Sequence, residues 1–195
     1  MTRLKLLTPD DLTTDQREVY DALTGGERSK NATLTQPDGS LVGPFNALLY
    51  SPLTGGRFQA LGEALRFHNH LPDNELEVAI LVVGAHWQAD FEWWAHARLA
   101  RRAGVSEPVI EAIRKGERPE FENEGEALVY RVASELHNTQ QLSDETYALA
   151  VDHLGEAGLA DLLMLMAYYT GVSMLLNSFR VPLPGNAPSP FSDLQ

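Results

Sequence analysis

The chain has no cysteine in its 195 residues. That absence removes disulfides, thiolate metal sites and thiol redox chemistry together. Basic residues are scarce as well: 15 Lys and Arg stand against 27 Asp and Glu, for a formal net charge of −12. Phosphate backbones are gripped by clustered Lys and Arg, so no nucleic acid partner is expected. No run of 18 apolar residues occurs, and no membrane span is expected. The opening MTRLKLLTPDDL lacks the apolar centre of a signal peptide, which makes the cytoplasm the simplest location. No segment alternates with period two over enough residues to make a strand. HExxH and GxSxG are missing, and Gly25-Gly26 and Gly55-Gly56 lack the spacing of a phosphate loop. Zinc, acyl-enzyme and nucleotide chemistry therefore have no anchor here; no metal and no cofactor are expected.

What is present is helical. Hydrophobic residues make up 44% of the chain, enough for a core. Their spacing predicts an all-α domain of about seven or eight helices. Thr8-Pro9-Asp10 starts a helix over 8–24, with Leu12, Val19 and Leu23 inward. The polar stretch 25–44 reads as a long surface loop or arm. A short apolar turn follows at Phe45 to Tyr50. Ser51-Pro52 opens a helix with Leu53, Phe58, Leu61, Leu65 and Phe67 on its apolar side, ending in His68 and His70. Those two histidines are expected to be solvated and to compensate the helix dipole. Beyond the central region come helices from Ser106 to Lys115, Glu124 to Asn138, and Asp144 to Leu154, the last stopped by Gly155. Gly158 to Phe179 is apolar nearly all round, which suits a core or a subunit interface. The proline-rich end is expected to be extended. These features divide the chain into an N-terminal helix and arm (1–44), a main domain (45–184) and a tail (185–195).

The centre of the chain is Glu75 to Gly104, ELEVAILVVGAHWQADFEWWAHARLARRAG. Asp73 is a capping signal ahead of it. Val78 to Ala85 is apolar, and His86, Asp90, Glu92 and His96 then fall among three tryptophans. On one straight helix, at ~1.5 Å per residue, Glu77 and His96 would stand about 28 Å apart. A turn near Gln88 to Asp90 is therefore expected, with Asp90 capping the second of two antiparallel helices around 73–104. Gly104, after Arg98, Arg101 and Arg102, ends it. Glu92 and His96, four apart, share one helix face. As ligands of a catalytic zinc, which usually takes three from the protein, they are too few. A carboxylate beside an imidazole in apolar surroundings can, however, hold and move a proton near neutral pH. A self-satisfied structural pair has the same spacing.

The pattern Glu77…Ala89-Asp90-Phe91-Glu92-Trp93-Trp94-Ala95-His96…Ala103-Gly104-Val105-Ser106 resembles the carboxymuconolactone decarboxylase family, whose superfamily includes the AhpD-like proteins. In the AhpD-like branch a glutamate precedes a Cys-x-x-Cys and a histidine follows it. On this chain those positions are Glu77, Ala89 with Glu92, and His96, so the chain is similar to a thiol-free branch. Leu175 to Pro184 resembles the C-terminal end of larger members. The resemblance is most specific over residues 75–106 and extends over 45–184. It implies an AhpD-like helical bundle, argues against thiol peroxidase activity, and implies a cofactor-independent lyase or isomerase acting on a small carboxylated or lactone-like molecule. His96 would be the proton donor or enolate partner, Glu92 its orienting group and Glu77 a second relay member. His86, Trp93 and Arg180 are candidates for contacting the substrate, with Arg57 and Arg66 as other possible anion anchors. A homo-oligomer (dimer, trimer or hexamer) is implied. A non-catalytic binding or scaffold protein of this fold, and a hydrolase or dehydratase at the same site, are the alternatives.

Overall fold

The computed structural model describes residues 2–194, with the backbone only at residues 31 and 186. Among the described residues there are nine α-helices and no strand, only one isolated antiparallel bridge between Thr35 and Leu41. The helices are α1 (Thr14–Gly25), α2 (Glu27–Asn31), α3 (Phe45–Leu48), α4 (Pro52–Phe67), α5 (Asp73–His86), α6 (Asp90–Ala103), α7 (Glu107–Lys115), α8 (Glu124–Thr139) and α9 (Asp144–Phe179). The all-α expectation holds. The count exceeds seven or eight because the polar 25–44 segment contains a helix of its own. The backbone forms two compact units: the described residues up to His68 with Leu175–Pro182, and Asn69–Met174 with the residues from Leu183 onward.

In the first unit α1 begins later than expected. Thr8-Pro9 makes only a 3-10 turn, and the α-helix starts at Thr14. There Thr13 Oγ1 accepts from the Gln16 amide and Gln16 Oε1 accepts from the Thr13 amide. Leu7, Val19, Leu23, Leu41 and Leu49 form its apolar centre. Asn46 is buried among them with both ends of its amide bonded: Oδ1 accepts from Leu7 N at 2.9 Å, and Nδ2 donates to Lys5 O at 3.0 Å. The 25–44 stretch is not a bare loop. Arg28 on α2 lies over the rings of Phe45 and Phe67, and Leu34 and Leu41 are buried on either side of a turn closed by Asp38 and Ser40. On α4 the inward residues are Gly55, Gln59, Gly62 and Leu65, whereas Leu53 is 74% exposed and Leu61 42% exposed. The expected apolar face of that helix was therefore rotated. Small residues face inward, and they let another backbone approach closely.

The second unit is built on α5, which buries every residue from Glu75 to Gly84 and packs against α6, α7 and α8. The turn falls at Trp87–Ala89. Its left-handed residue is Gln88 (φ 45°), and the Ala89 amide reaches back to Gly84 O at 3.0 Å to close the helix end. Asp73 and Asp90 are the first helical residues, not the caps; Pro72 and Ala89 hold those positions. Asp90 instead accepts the Ser189 hydroxyl at 2.6 Å. Gly104 and Gly116 end α6 and α7 in the left-handed conformation. In α9 Ser143 Oγ accepts from Thr146 N, and Gly155 breaks the helix at φ 71°, ψ 169°, a region that essentially only glycine adopts. The expected stop at Gly155 therefore holds, and α9 is two helical segments meeting at that kink. That element is also the one described helix with the length and hydropathy of a membrane span, and half of its apolar window is buried within the protein.

The tail does not run out extended. Phe191 is 1% exposed and packs on the ring of Trp93. The Arg114 guanidinium donates to Pro190 O at 2.6 Å, to both oxygens of Asp193 and to Glu111. The Arg114 guanidinium beside Glu111 holds that carboxyl down at about 2, and Asp193 is lowered by the same partner. A depressed carboxylate stabilises the fold above its unfolded value and loses that contribution as pH falls through its folded value. The contribution here is complete above about pH 4.5 and disappears toward pH 2. Glu111 is 41% exposed on its side chain, so screening keeps its own share below ~1 kcal/mol. Arg114→Ala is expected to release the tail and cost about 1–2 kcal/mol at pH 7, with a smaller loss at pH 3, read by thermal melts at the two pH values.

Candidate functional site

Three side chains expected from the sequence meet inside the second unit. Glu77 projects from the middle of α5, and Glu92 and His96 from successive turns of α6. His96 Nδ1 lies 2.8 Å from Glu77 Oε2, and its Nε2 lies 3.2 Å from Glu92 Oε1. The side chains are 10% (His96), 1% (Glu77) and 4% (Glu92) exposed. The turn at Trp87–Ala89 is what makes this possible, since it lays α6 along α5 and brings residues 19 apart in sequence into contact. At Gly84 the two helices pack closely: a Cβ there would meet Glu92 Cγ at 3.7 Å and the Trp93 amide at 3.8 Å, ordinary van der Waals contacts.

The geometry fixes how protons are shared. With Glu77 ionised, Nδ1–H donates to it and the tautomer is set. Nε2 then faces Glu92 Oε1 across 3.2 Å, an ion-pair contact and not a hydrogen bond. Water is largely excluded, so such pairs interact more strongly than they would at the surface. Chemically, this is a proton donor and acceptor held by two acids.

Tyr169 of α9 was not foreseen. Its ring stands edge-on to His96, with centroids 4.9 Å apart and planes at 78°, and Tyr168 meets it edge-on in turn. Two adjacent tyrosines in an otherwise aliphatic run were the only local signal. A second acid–imidazole pair was also missed. Glu75, two residues before Glu77 and so on another face of α5, lies 2.9 Å from His153 Nε2. Gly125 leaves room for it, because a Cβ there would fall 2.0 Å from Glu75 Oε1.

The remaining candidates lie elsewhere. His86 closes α5, nine residues beyond Glu77 and so ~13 Å along the helix axis, with its ring against His137. Trp93 is 4% exposed and packed on Phe191. Arg180 is exposed in the first unit with φ 50°, and Arg57 and Arg66 belong to that unit too. His68 and His70 are exposed as expected, but each faces a carboxylate: His68 lies 3.3 Å from Glu27 and His70 2.6 Å from Asp161. Among the described residues no three His, Asp or Glu side chains are grouped to hold a metal.

A cysteine-free helical protein whose central helix pair buries an imidazole between two carboxylates falls in the AhpD-like fold class. The structure is similar to that of an uncharacterized peroxidase-related protein from Silicibacter sp. TM1040. Their TM-score is 0.69 at 12% identity, over 92% of this chain and 90% of that one. Residues 52–134, from α4 into α8, match the model of the carboxymuconolactone decarboxylase family, and Glu77, Glu92 and His96 all lie within that stretch. No curated protein matches the chain.

Proposed function

We propose that the protein is a carboxymuconolactone decarboxylase-like, cofactor-independent lyase or isomerase that uses acid–base chemistry on a small carboxylated or lactone-like substrate. The observation carrying this reading is the buried Glu77–His96–Glu92 cluster inside the family segment. In a decarboxylation the bond to the carboxylate carbon breaks and CO₂ leaves. The electron pair passes into the lactone carbonyl as an enolate, and a proton must return to carbon. His96 Nε2–H is the group to deliver it, or to pair with the enolate oxygen in the transition state. Glu77 holds the ring in its tautomer, and Glu92 shares the mobile proton and resupplies it. With no thiol in the chain, peroxidase chemistry has no nucleophile. Met164 and Met174, about half exposed on α9, support a homo-oligomer.

The test is incubation with γ-carboxymuconolactone while CO₂ release is followed. Turnover is expected, falling 10²–10⁴-fold in His96→Gln, the usual contribution of one general acid. Turnover that survives that substitution would remove His96 from the chemistry. Hydrolysis or dehydration of another lactone, without CO₂, would reassign the reaction at the same site. A second reading, binding of a small molecule without turnover, is favoured by a separate feature: a cleft along α8 lined by Arg118, Phe121, Leu128, Tyr130, Arg131 and Glu135.

A further inference from the structure

Two imidazoles far apart in the sequence meet on the surface of the second unit. His86 ends α5 and His137 lies in the last turn of α8. Their ring centroids are 4.4 Å apart and their planes are inclined by 50°. Trp87 stands edge-on to His86 at 6.1 Å. Neither histidine belongs to the buried cluster.

The His137 ring is held so that one nitrogen is free to bind a ligand. His137 Nδ1 lies 2.8 Å from Ala133 O, so in the neutral ring Nδ1 carries the proton and Nε2 the free lone pair. Both residues sit at helix C-terminal ends, where unpaired carbonyls favour a cation. The separation also fits. With metal–nitrogen bonds of ~2 Å, two imidazoles on adjacent corners of a square or octahedral ion hold their centroids about 4.5 Å apart.

We propose that His86 and His137 together form a surface site for a late first-row divalent cation, with water completing its coordination. Among these ions Cu²⁺ binds nitrogen donors most strongly, followed by Ni²⁺. Two protein ligands make an open, exchangeable site, unlike a closed structural one with four. Chain spacing could not reveal it, because the two histidines come from different helices.

The experiment uses the untagged full-length chain, titrated with Cu²⁺ and separately with Ni²⁺ by calorimetry. Electron paramagnetic resonance of the Cu²⁺ form reports nitrogen coordination. One equivalent is expected to bind, with a two-nitrogen signature. His86→Ala and His137→Ala should each weaken binding at least tenfold, since even loss of a ligand's supporting partner costs roughly 10–100-fold. His153→Ala, which removes another partly exposed imidazole, should leave binding unchanged. Circular dichroism melts show whether each variant is folded. No saturable binding by the wild-type chain overturns the proposal, as does binding that persists in the double variant. Equal loss in His153→Ala overturns it too.

Discussion

Replacing Glu77 with alanine is expected to cost about 3–5 kcal/mol of stability, the usual penalty for removing one partner of a buried ion pair. The reason lies in what is left behind. His96 Nδ1–H loses the acceptor 2.8 Å away, in a place where both side chains are almost wholly withdrawn from water. A buried donor without an acceptor pays its full desolvation cost. Glu92 remains 3.2 Å from Nε2, so the ring can turn its proton toward Glu92 and recover part of the loss. Glu77→Gln separates charge from shape. Its amide oxygen still accepts from Nδ1–H, and its cost should stay below half that of alanine. For a chain of this length the alanine variant should melt roughly 6–20 °C lower. A double-mutant cycle with His96→Ala isolates the pair, with a coupling of at least ~1 kcal/mol expected for groups in contact. Additivity would show that Glu77 acts through packing alone.

The central hairpin was legible because its signals are local. Apolar runs, a Glu92–His96 spacing of four and Gly104 at the end all act over one or two turns of helix. The position of the turn followed from a length argument, not from a turn residue. Gln88 adopts the left-handed conformation with no glycine to announce it, because the capping bond from Ala89 to Gly84 closes the helix whichever side chain is there. Composition misled where a few buried side chains outweigh many polar ones. Leu34 and Leu41 order a stretch rich in Gly, Ser and Asn, and Phe191 anchors a proline-rich tail. In both cases one or two leucine- or phenylalanine-sized side chains, each worth ~1.5–3 kcal/mol on burial, offset the disorder the rest of the segment would prefer.

Of the buried cluster, Glu92 and His96 could be paired from helical spacing, and Glu77 came from a family pattern. Tyr169, the Glu75–His153 pair and the His86–His137 pair could not be found that way. Each joins elements whose sequence separation carries no period, and only packing around α5 brings them together. Residue type helped where it was unusual, as with an acid inside an apolar run. Glu75 and Glu77 are both buried on α5, and each faces an imidazole. A buried carboxylate in such a run therefore says that a partner exists but not which one.

Gly55→Ala is expected to be the most damaging single-methyl change in the first unit, at about 3 kcal/mol. A Cβ at this position would lie 2.1 Å from the carbonyl oxygen of Leu48 and 2.8 Å from its carbon. Those are backbone atoms at the end of α3 and cannot swing aside as a side chain could. Relief requires α3 and α4 to separate, which opens the buried contacts of Leu48 and Leu49. Overpacking alone typically costs ~1–3 kcal/mol, and alanine recovers up to ~1 kcal/mol through its better helix propensity. The net therefore depends on how far the helices must move, and a backbone obstacle puts it at the upper end. Gly56 is the matched control. It is the next residue on the same helix, and its added Cβ would meet only the Val19 Cγ2 methyl, at 3.3 Å. Gly56→Ala should fall within about 0.5 kcal/mol of the parent chain, because that methyl can give by a few tenths of an ångström while the helix gains propensity. Chemical denaturation of the pair reads the contrast directly. Equal midpoints for the two variants would mean that α3 yields easily, and that the close approach of Leu48 to α4 does not hold this unit together.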